Sequence, residues 1–89
     1  MAGEPEIYFV LQNYPGGVEA VVRAFRPHLK LALVREGLRK IAGKFATLDH
    51  VGPKDVAGFD EMLNEEERAI RQRDAFEKVS FLLQRLGIP

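Results

Sequence analysis

The residues with the clearest chemical potential in this chain are the cations of residues 21–44. Seven of the thirteen Lys and Arg residues lie in this basic segment, against Glu36 as its single acid: Arg23, Arg26, Lys30, Arg35, Arg39, Lys40 and Lys44. Such side chains bind phosphate oxygens, anionic headgroups or carboxylates of a partner protein. We therefore predict that these seven residues form the surface for an anionic partner.

The segment that follows, residues 45–70, has the opposite charge. Its only cations are Lys54 and Arg68. They are outnumbered by seven acids: Asp49, Asp55, Asp60, Glu61, Glu65, Glu66 and Glu67. Two segments of opposite sign either neutralise each other, within one molecule or in a dimer, or present one sign to a partner. A net charge of zero leaves both interpretations open.

Residue types that carry out catalysis are sparse. The chain has no Cys, and Ser80 is its only serine, without a nucleophile motif around it. His28 and His50 occur without the His-Glu-x-x-His spacing of zinc sites. Asp49, His50 and Asp55 share one loop, a composition typical of turns. We predict no catalytic, cofactor-binding or metal-binding residues, no small-molecule substrate, and a protein that is not an enzyme.

The first residues argue against export. Glu4 and Glu6 stand where a secretory signal carries Lys or Arg, and the apolar run Ile7–Val10 is too short for a signal or a membrane span. The amphipathic basic segment lacks a Trp anchor for a membrane surface. The expectation is a cytoplasmic protein that does not bind membranes.

Helical periodicity organises most of the chain. Apolar residues recur at helical spacing from Val18 to Phe25, and Pro27 suits the start of a second helix over residues 28–45. The apolar arc of that helix comprises Leu31, Val34, Leu38, Ile41, Ala42 and Phe45. A short third helix begins at Pro53, with Val56, Phe59 and Leu63 inward.

The last helix has signals at both ends. Asn64 is the predicted cap, Glu67 completes a capping box, and Gly87 ends the helix. Its apolar stripe comprises Ile70, Phe76, Val79, Leu82, Leu83 and Leu86.

The β-prone stretch Ile7–Leu11 allows three structures: a strand paired with another copy, an extended arm on the helices, or a short helical turn. An arm or a dimer-pairing strand is the preferred prediction. The predicted fold is therefore all-α: one domain over residues 1–89, with an extended arm and turn in residues 1–16 and a bundle of three to four helices in residues 17–89. The arm and the last stripe predict a homodimer, because they hold more apolar surface than three short helices cover.

The stretch from Leu38 to Phe59, "LRKIAGKFATLDHVGPKDVAGF", has the outline of a helix-turn-helix, although Gly52–Pro53 opens its second helix and its acids would face phosphates. Arg35, Arg39, Lys40 and Lys44 on the preceding helix are better candidates for phosphate contacts.

Residues 19–63 resemble the C-terminal helical module of light-independent protochlorophyllide reductase. The matching positions are Pro27, Val34, Arg35, Leu38, Ile41, Ala42, Val51 and Val56, whereas Arg39 replaces a Glu of the pattern and Phe45–Ala46 replaces a Gly. The resemblance implies a compact helical module. Because the chain has no Cys, it implies no iron–sulfur ligands.

These observations predict a non-catalytic helical interaction module: an accessory, regulatory or adaptor subunit that binds another protein or a second copy of itself. The alternative is a sequence-tolerant nucleic-acid-binding protein that uses the basic face of residues 23–44.

Overall fold

One long helix supports the other elements. The computed structural model describes the backbone of residues 3–89 and the side chains from Glu6 onwards. Its elements are α1 (Gly3–Asn13), α2 (Gly17–Phe25), a 3₁₀ turn (Arg26–His28), α3 (Ala32–Lys44), α4 (Val51–Phe59) and α5 (Glu65–Leu86). Residues 3–89 contain no strand. The predicted all-α class is confirmed.

Both ends of α5 have the predicted caps. The Asn64 side chain accepts a hydrogen bond from the Glu67 backbone N–H at 2.8 Å, and the Glu67 carboxylate accepts one from the Asn64 N–H at 3.0 Å. Gly87 ends the helix in the left-handed conformation, with φ 73°. The capping box thus gives hydrogen-bond partners to two N–H groups at the start of the helix. The two caps mark where α5 begins and ends.

The core lies along the C-terminal half of α5. Ala75, Val79, Leu82, Leu83 and Leu86 are buried, and they pack in one cluster with residues from the other four helices: Tyr8, Leu11, Val21, Val22, Leu38, Phe45 and Val56. The bundle is thus held together mainly by apolar burial against one face of one helix.

The N-terminal segment is helical, so the prediction of an extended arm or strand is wrong. Helix α1 covers Gly3–Asn13 and buries Tyr8 and Leu11, which are three residues apart and therefore lie on one side of a helix. Helices α2, α4 and α5 all contact α1. Burial of this stripe outweighs the β propensity of Ile7–Leu11, since local propensity is weaker than tertiary packing. Met1 and Ala2 lie outside the described residues.

The second predicted helix begins four residues later than expected. Pro27 lies in the 3₁₀ turn, and α3 starts at Ala32. The Arg35 guanidinium donates a hydrogen bond to the Leu29 carbonyl at 2.6 Å, across the corner between the turn and the helix. This bond satisfies a carbonyl that the interrupted helix leaves without a helical partner.

Helix α4 meets the end of α3 at Gly52. A Cβ atom at this position would lie 2.6 Å from the Phe45 ring and 2.7 Å from the Lys44 carbonyl oxygen. Both Gly52 and Phe45 are buried. Glycine therefore allows α4 to begin directly against the aromatic ring that closes the core on this side.

Candidate protein-interaction site

Two of the seven predicted cations make hydrogen bonds within the fold. Arg23, Lys30, Arg39 and Lys40 are exposed, whereas two others bond backbone carbonyls. The Arg35 guanidinium binds the Leu29 carbonyl as described, and Arg26 Nη2 donates to the Arg85 carbonyl at 3.2 Å, at the C-terminal end of α5. Arg26 and Arg35 thus help to hold the fold, and the remaining exposed cations are spread over α2, α3 and the turn between them.

Six cations of the basic segment form no ion pair with an acid among the described residues: Arg23, Arg26, Lys30, Arg35, Arg39 and Lys40. The acids of residues 60–67 lie at the start of α5, and Arg26 lies at its end. Residues 67 and 85 are about 27 Å apart along a helix. That distance exceeds the screening length of about 8 Å at physiological ionic strength.

Helices α3 and α4 do not have the arrangement of a DNA-reading pair. Residues 45–50 separate them, a longer connection than the usual turn of 3–4 residues. The second helix of the pair, α4, packs against α1 and α5 and buries Gly52, Pro53, Val56 and Ala57. Its exposed side includes Asp55, which would repel phosphate.

An exposed apolar cluster lies on the other end of the molecule. Phe59 of α4 is 59% exposed, Met62 of the following loop is 90% exposed, and Ile70 of α5 is 65% exposed. Phe9 of α1 is also exposed and packs edge-on against Phe59, with ring centroids 5.9 Å apart. We call Phe9, Phe59 and Met62 the aromatic patch, because they line one groove, and Ile70 lines the groove beside it. The three residues of the patch come from two helices and one loop, so the patch exists only in the folded chain.

Charged residues surround the aromatic patch. An open groove is lined by Phe9, Phe59 and Met62 together with Asp60, Glu61 and Arg71. A neighbouring groove includes Ile70, Arg71 and Glu67. Asp60 is held in place because its carboxylate accepts a hydrogen bond from the Met62 backbone N–H at 3.0 Å. The site thus has an apolar centre, an acidic border and one arginine.

Two of these exposed residues, Ile70 and Phe59, are predicted from the sequence to lie in the core, and both predictions are wrong. Ile70 precedes Val79 by nine residues, and steps of about 100° put the two side chains on opposite sides of the helix. The exposed fraction of Val79 is 0%, as this geometry requires. Phe59 was predicted to point inward and is exposed at the last position of α4. The 100° steps of a helix are enough to place Ile70 on the exposed side of α5. No such pattern in the sequence indicates that Phe9 and Met62 are exposed.

Most of the apolar residues on which the predicted homodimer rested are buried within one molecule. Leu82, Leu83 and Leu86 are buried in the core. Tyr8 and Leu11 are buried in the same cluster, because the N-terminal segment forms helix α1. Phe9 and Val10 remain exposed.

A small polar cluster joins α1 to α5 next to the patch. The Tyr8 hydroxyl donates to Asp74 Oδ2 at 2.6 Å, and Lys78 Nζ lies 3.1 Å from the same oxygen. The Lys78 ammonium also lies over the Tyr8 ring, 5.6 Å from its centroid. Burial, followed by the bond to Asp74, raises the pKa of Tyr8 to about 12. The hydroxyl therefore stays protonated and acts as a structural donor.

The loop that holds Asp49 and His50 has ordinary turn contacts. His50 Nδ1 lies 2.7 Å from Thr47 Oγ1, and the Gln72 amide donates to the Leu48 carbonyl at 2.8 Å. Within the described part of the chain, no three His, Asp or Glu side chains are grouped as a metal ion requires. No helix of residues 3–89 combines the length and apolar character of a membrane span.

The chain matches no protein-family model, no curated protein and no solved structure with which it was compared. The resemblance of residues 19–63 to the protochlorophyllide reductase module therefore stays a prediction.

Proposed function

We propose that this protein is a non-catalytic interaction module that binds a partner protein through the aromatic patch. The observation that carries the proposal is the joint exposure of Phe9, Phe59 and Met62 around one groove. Isolated exposed apolar residues are ordinary, whereas a contiguous cluster with a polar border is typical of a binding site.

The composition of the patch supports a protein partner over a small molecule. Aromatic residues, Met and Arg are enriched at protein interfaces, and here two Phe, one Met and Arg71 lie together. The grooves are open to solvent, whereas sites for small ligands are usually enclosed. Asp60 and Glu61 at the border favour a partner whose apolar contact residues are flanked by cations.

The experiment replaces Met62 by a photo-crosslinking amino acid and identifies what it captures. The captured protein is then purified and titrated against the wild type and the Phe59→Glu and Met62→Glu variants. Because an acid in the apolar centre removes burial and adds repulsion, we expect affinity to fall at least about tenfold.

Val51→Glu is the matched control, since Val51 is exposed to a similar degree but lies at the first position of α4, outside the patch. The Val51→Glu variant should bind the captured protein with the affinity of the wild type. Equal losses in all three variants, or no loss in the patch variants, would contradict the proposal.

Nucleic-acid binding is the second candidate function. The observation that favours it is the exposure of Arg23, Lys30, Arg39 and Lys40 without ion pairs to described acids. Binding to a random-sequence duplex and to a single strand should then weaken steeply between about 50 and 200 mM salt. It should disappear in the double variant Arg39→Glu/Lys40→Glu. No binding at the lower salt concentration would rule this candidate out.

A further inference from the structure

We infer that helix α3 opens by itself: it unfolds as a unit between two fixed points of the chain while α1, α2, α4 and α5 stay folded. Its opening uncovers the second half of α5 around Leu83. Three observations support the inference: the low burial of α3, the weak helix signals in its sequence, and the contacts that fix the chain just before and just after it.

Helix α3 has the least burial for its length. Leu38 is its only buried residue out of thirteen, whereas α4 buries four of its nine residues and α2 buries two of nine. Val34, Ile41 and Ala42 of α3 reach the core but are only partly buried. Segments with few buried apolar contacts open at a lower free energy than the whole chain. We therefore expect α3 to open more often than α2, α4 or the second half of α5.

The sequence of α3 also stabilises the helix weakly. No side chain caps its start, where Leu31 occupies the N-cap position, and its first turn has no acid, whereas α5 starts with a capping box. A Cβ atom at Gly37 or Gly43 would meet nothing within 4 Å, so packing does not require glycine in this helix. The Arg35 hydrogen bond to the Leu29 carbonyl joins α3 to the residues just before it, not to another helix. A helix of 13 residues is marginal alone in water, so α3 depends on its partial burial.

The chain is fixed to the bundle on both sides of α3. Before the helix, the Arg26 guanidinium donates a hydrogen bond to the Arg85 carbonyl at 3.2 Å, and Val22 of α2 is buried. After the helix, the Phe45 ring is buried beside Gly52 at the start of α4. None of these residues belongs to α3. Their contacts can therefore persist while the helix unfolds between them.

Opening of α3 uncovers a part of α5. Helix α3 and the C-terminal end of α5 border one groove, whose lining includes Ala42 of α3 and Leu83 of α5. Leu83 is only 6% exposed while α3 is in place. The aromatic patch comes from α1, α4 and the loop after α4, so it is unchanged when α3 opens. The chain thus has a second apolar surface, on α5, that exists only while α3 is open.

The first test measures amide hydrogen exchange of residues 36–44, together with urea unfolding of the whole chain followed by circular dichroism. If α3 opens by itself, these amides exchange at least about tenfold faster than global unfolding allows. Urea well below the unfolding midpoint should hardly change their rates, because opening of one helix exposes little surface.

Two glycine substitutions test whether the opening belongs to α3. Gly37→Ala should slow the exchange of residues 36–44 about fivefold, because alanine favours the helix. Gly58→Ala is the matched control, since a Cβ atom at Gly58 also meets nothing within 4 Å but lies in α4, which stays folded. It should leave the exchange of residues 36–44 unchanged.

Tyr8→Phe separates the opening of α3 from unfolding of the chain. The hydrogen bond from Tyr8 to Asp74 joins α1 to α5, and it is retained when α3 opens. Its loss should raise the equilibrium constant for global unfolding about fivefold to thirtyfold. The exchange of residues 36–44 should stay unchanged.

Single introduced thiols test whether α5 is uncovered, because the chain has no Cys of its own. Leu83→Cys should react with a thiol reagent with the opening equilibrium that the amides of residues 36–44 report. Val21→Cys is the control, since Val21 of α2 is 1% exposed and should react only through global unfolding. Circular dichroism verifies that both variants fold.

Exchange of residues 36–44 with the free energy and urea dependence of global unfolding overturns the inference. So does equal slowing by Gly37→Ala and Gly58→Ala, or a Tyr8→Phe protein whose α3 exchanges faster by the factor measured for unfolding. A Leu83→Cys thiol that reacts no faster than Val21→Cys overturns the uncovering of α5. None of these results depends on a partner of the aromatic patch, so this inference and the proposed function stand or fail separately.

Discussion

The two halves of α5 have the same backbone and opposite environments. From Ala75 to Leu86 the helix turns an apolar face to all the other helices and buries it. From Glu65 to Asp74 it buries no residue, and its large apolar side chain, Ile70, faces outward.

The comparison shows that apolar residues of one helix serve two purposes. Those of the second half stabilise the fold, since their burial drives it. Ile70 contributes little to the fold and lines a groove beside the aromatic patch. Four substitutions, in decreasing order of expected effect, test whether the halves differ as described.

The largest effect is expected from Leu82→Ala in the second half. The Leu82 side chain is fully buried, so its truncation removes transfer free energy and leaves a cavity, at a cost of about 2–5 kcal/mol in the free energy of unfolding. Ile70→Ala is the matched control in the first half of α5, and it should change the free energy of unfolding by less than about 0.5 kcal/mol. Urea denaturation measures both, and similar losses would contradict the comparison.

Gly52→Ala tests the packing of the core along the second half of α5 without changing a residue of that helix. The new methyl group would overlap the Phe45 ring, which belongs to the same buried cluster as Leu82 and Leu83. Displacing a packed ring costs about 1–3 kcal/mol. Gly58→Ala is the control on the same helix, because a Cβ at Gly58 meets nothing within 4 Å. A Gly52→Ala protein as stable as the wild type would show that the Phe45 ring and the Lys44 carbonyl both move without cost.

Tyr8→Phe tests the boundary between the halves, where Asp74 holds α1. Loss of the hydrogen bond to this half-exposed carboxylate should cost about 1–2 kcal/mol. The folded pKa of about 12 lies above the ordinary value of about 10, so the stabilisation is complete below pH 10 and is lost as the pH rises through 12.

Unfolding at several alkaline pH values measures this difference between wild type and Tyr8→Phe. The two stabilities should converge between pH 10 and 12. A gap that stays constant to pH 12 would mean that the hydroxyl does not stabilise the folded state through its proton.

The smallest effect is expected from Asn64→Ala. The first half of α5 has little tertiary packing, so its start depends on the Asn64–Glu67 capping box, and the loss should be about 1 kcal/mol. Hydrogen exchange should accelerate at Glu67 and Arg68, whose N–H groups bond Asn64, and stay unchanged at residues 79–86. Acceleration over the whole helix would show that the halves are coupled.

Sequence reasoning predicted α5 almost completely because its start and end are encoded locally. Asn64, Glu67 and Gly87 act on neighbouring backbone groups, and such signals need no knowledge of the rest of the fold. Helix α1 was missed because its decisive contacts are distant: Tyr8 bonds Asp74, 66 residues away. The β propensity of Ile7–Leu11 is a local property and carries no information about that contact.

The candidate site was the least predictable part. The positions of the cations were known from the sequence, but Arg26 binds the Arg85 carbonyl only after α2 folds onto the end of α5. The patch depends on which apolar residues stay uncovered, and that is decided by packing of all the helices. For Phe9 and Met62 no local pattern carries this information.

The short turn between α1 and α2 has a consequence of its own. Tyr14, Pro15 and Gly16 alone separate the two helices, so α1 is held beside its binding surface as a tethered ligand. Short tethers of this kind give effective concentrations of about 1 mM. An 11-residue helix is marginal alone in water. Cut from the chain, a peptide of residues 3–13 would therefore have to be supplied at about that concentration to cover Leu82 and its neighbours again.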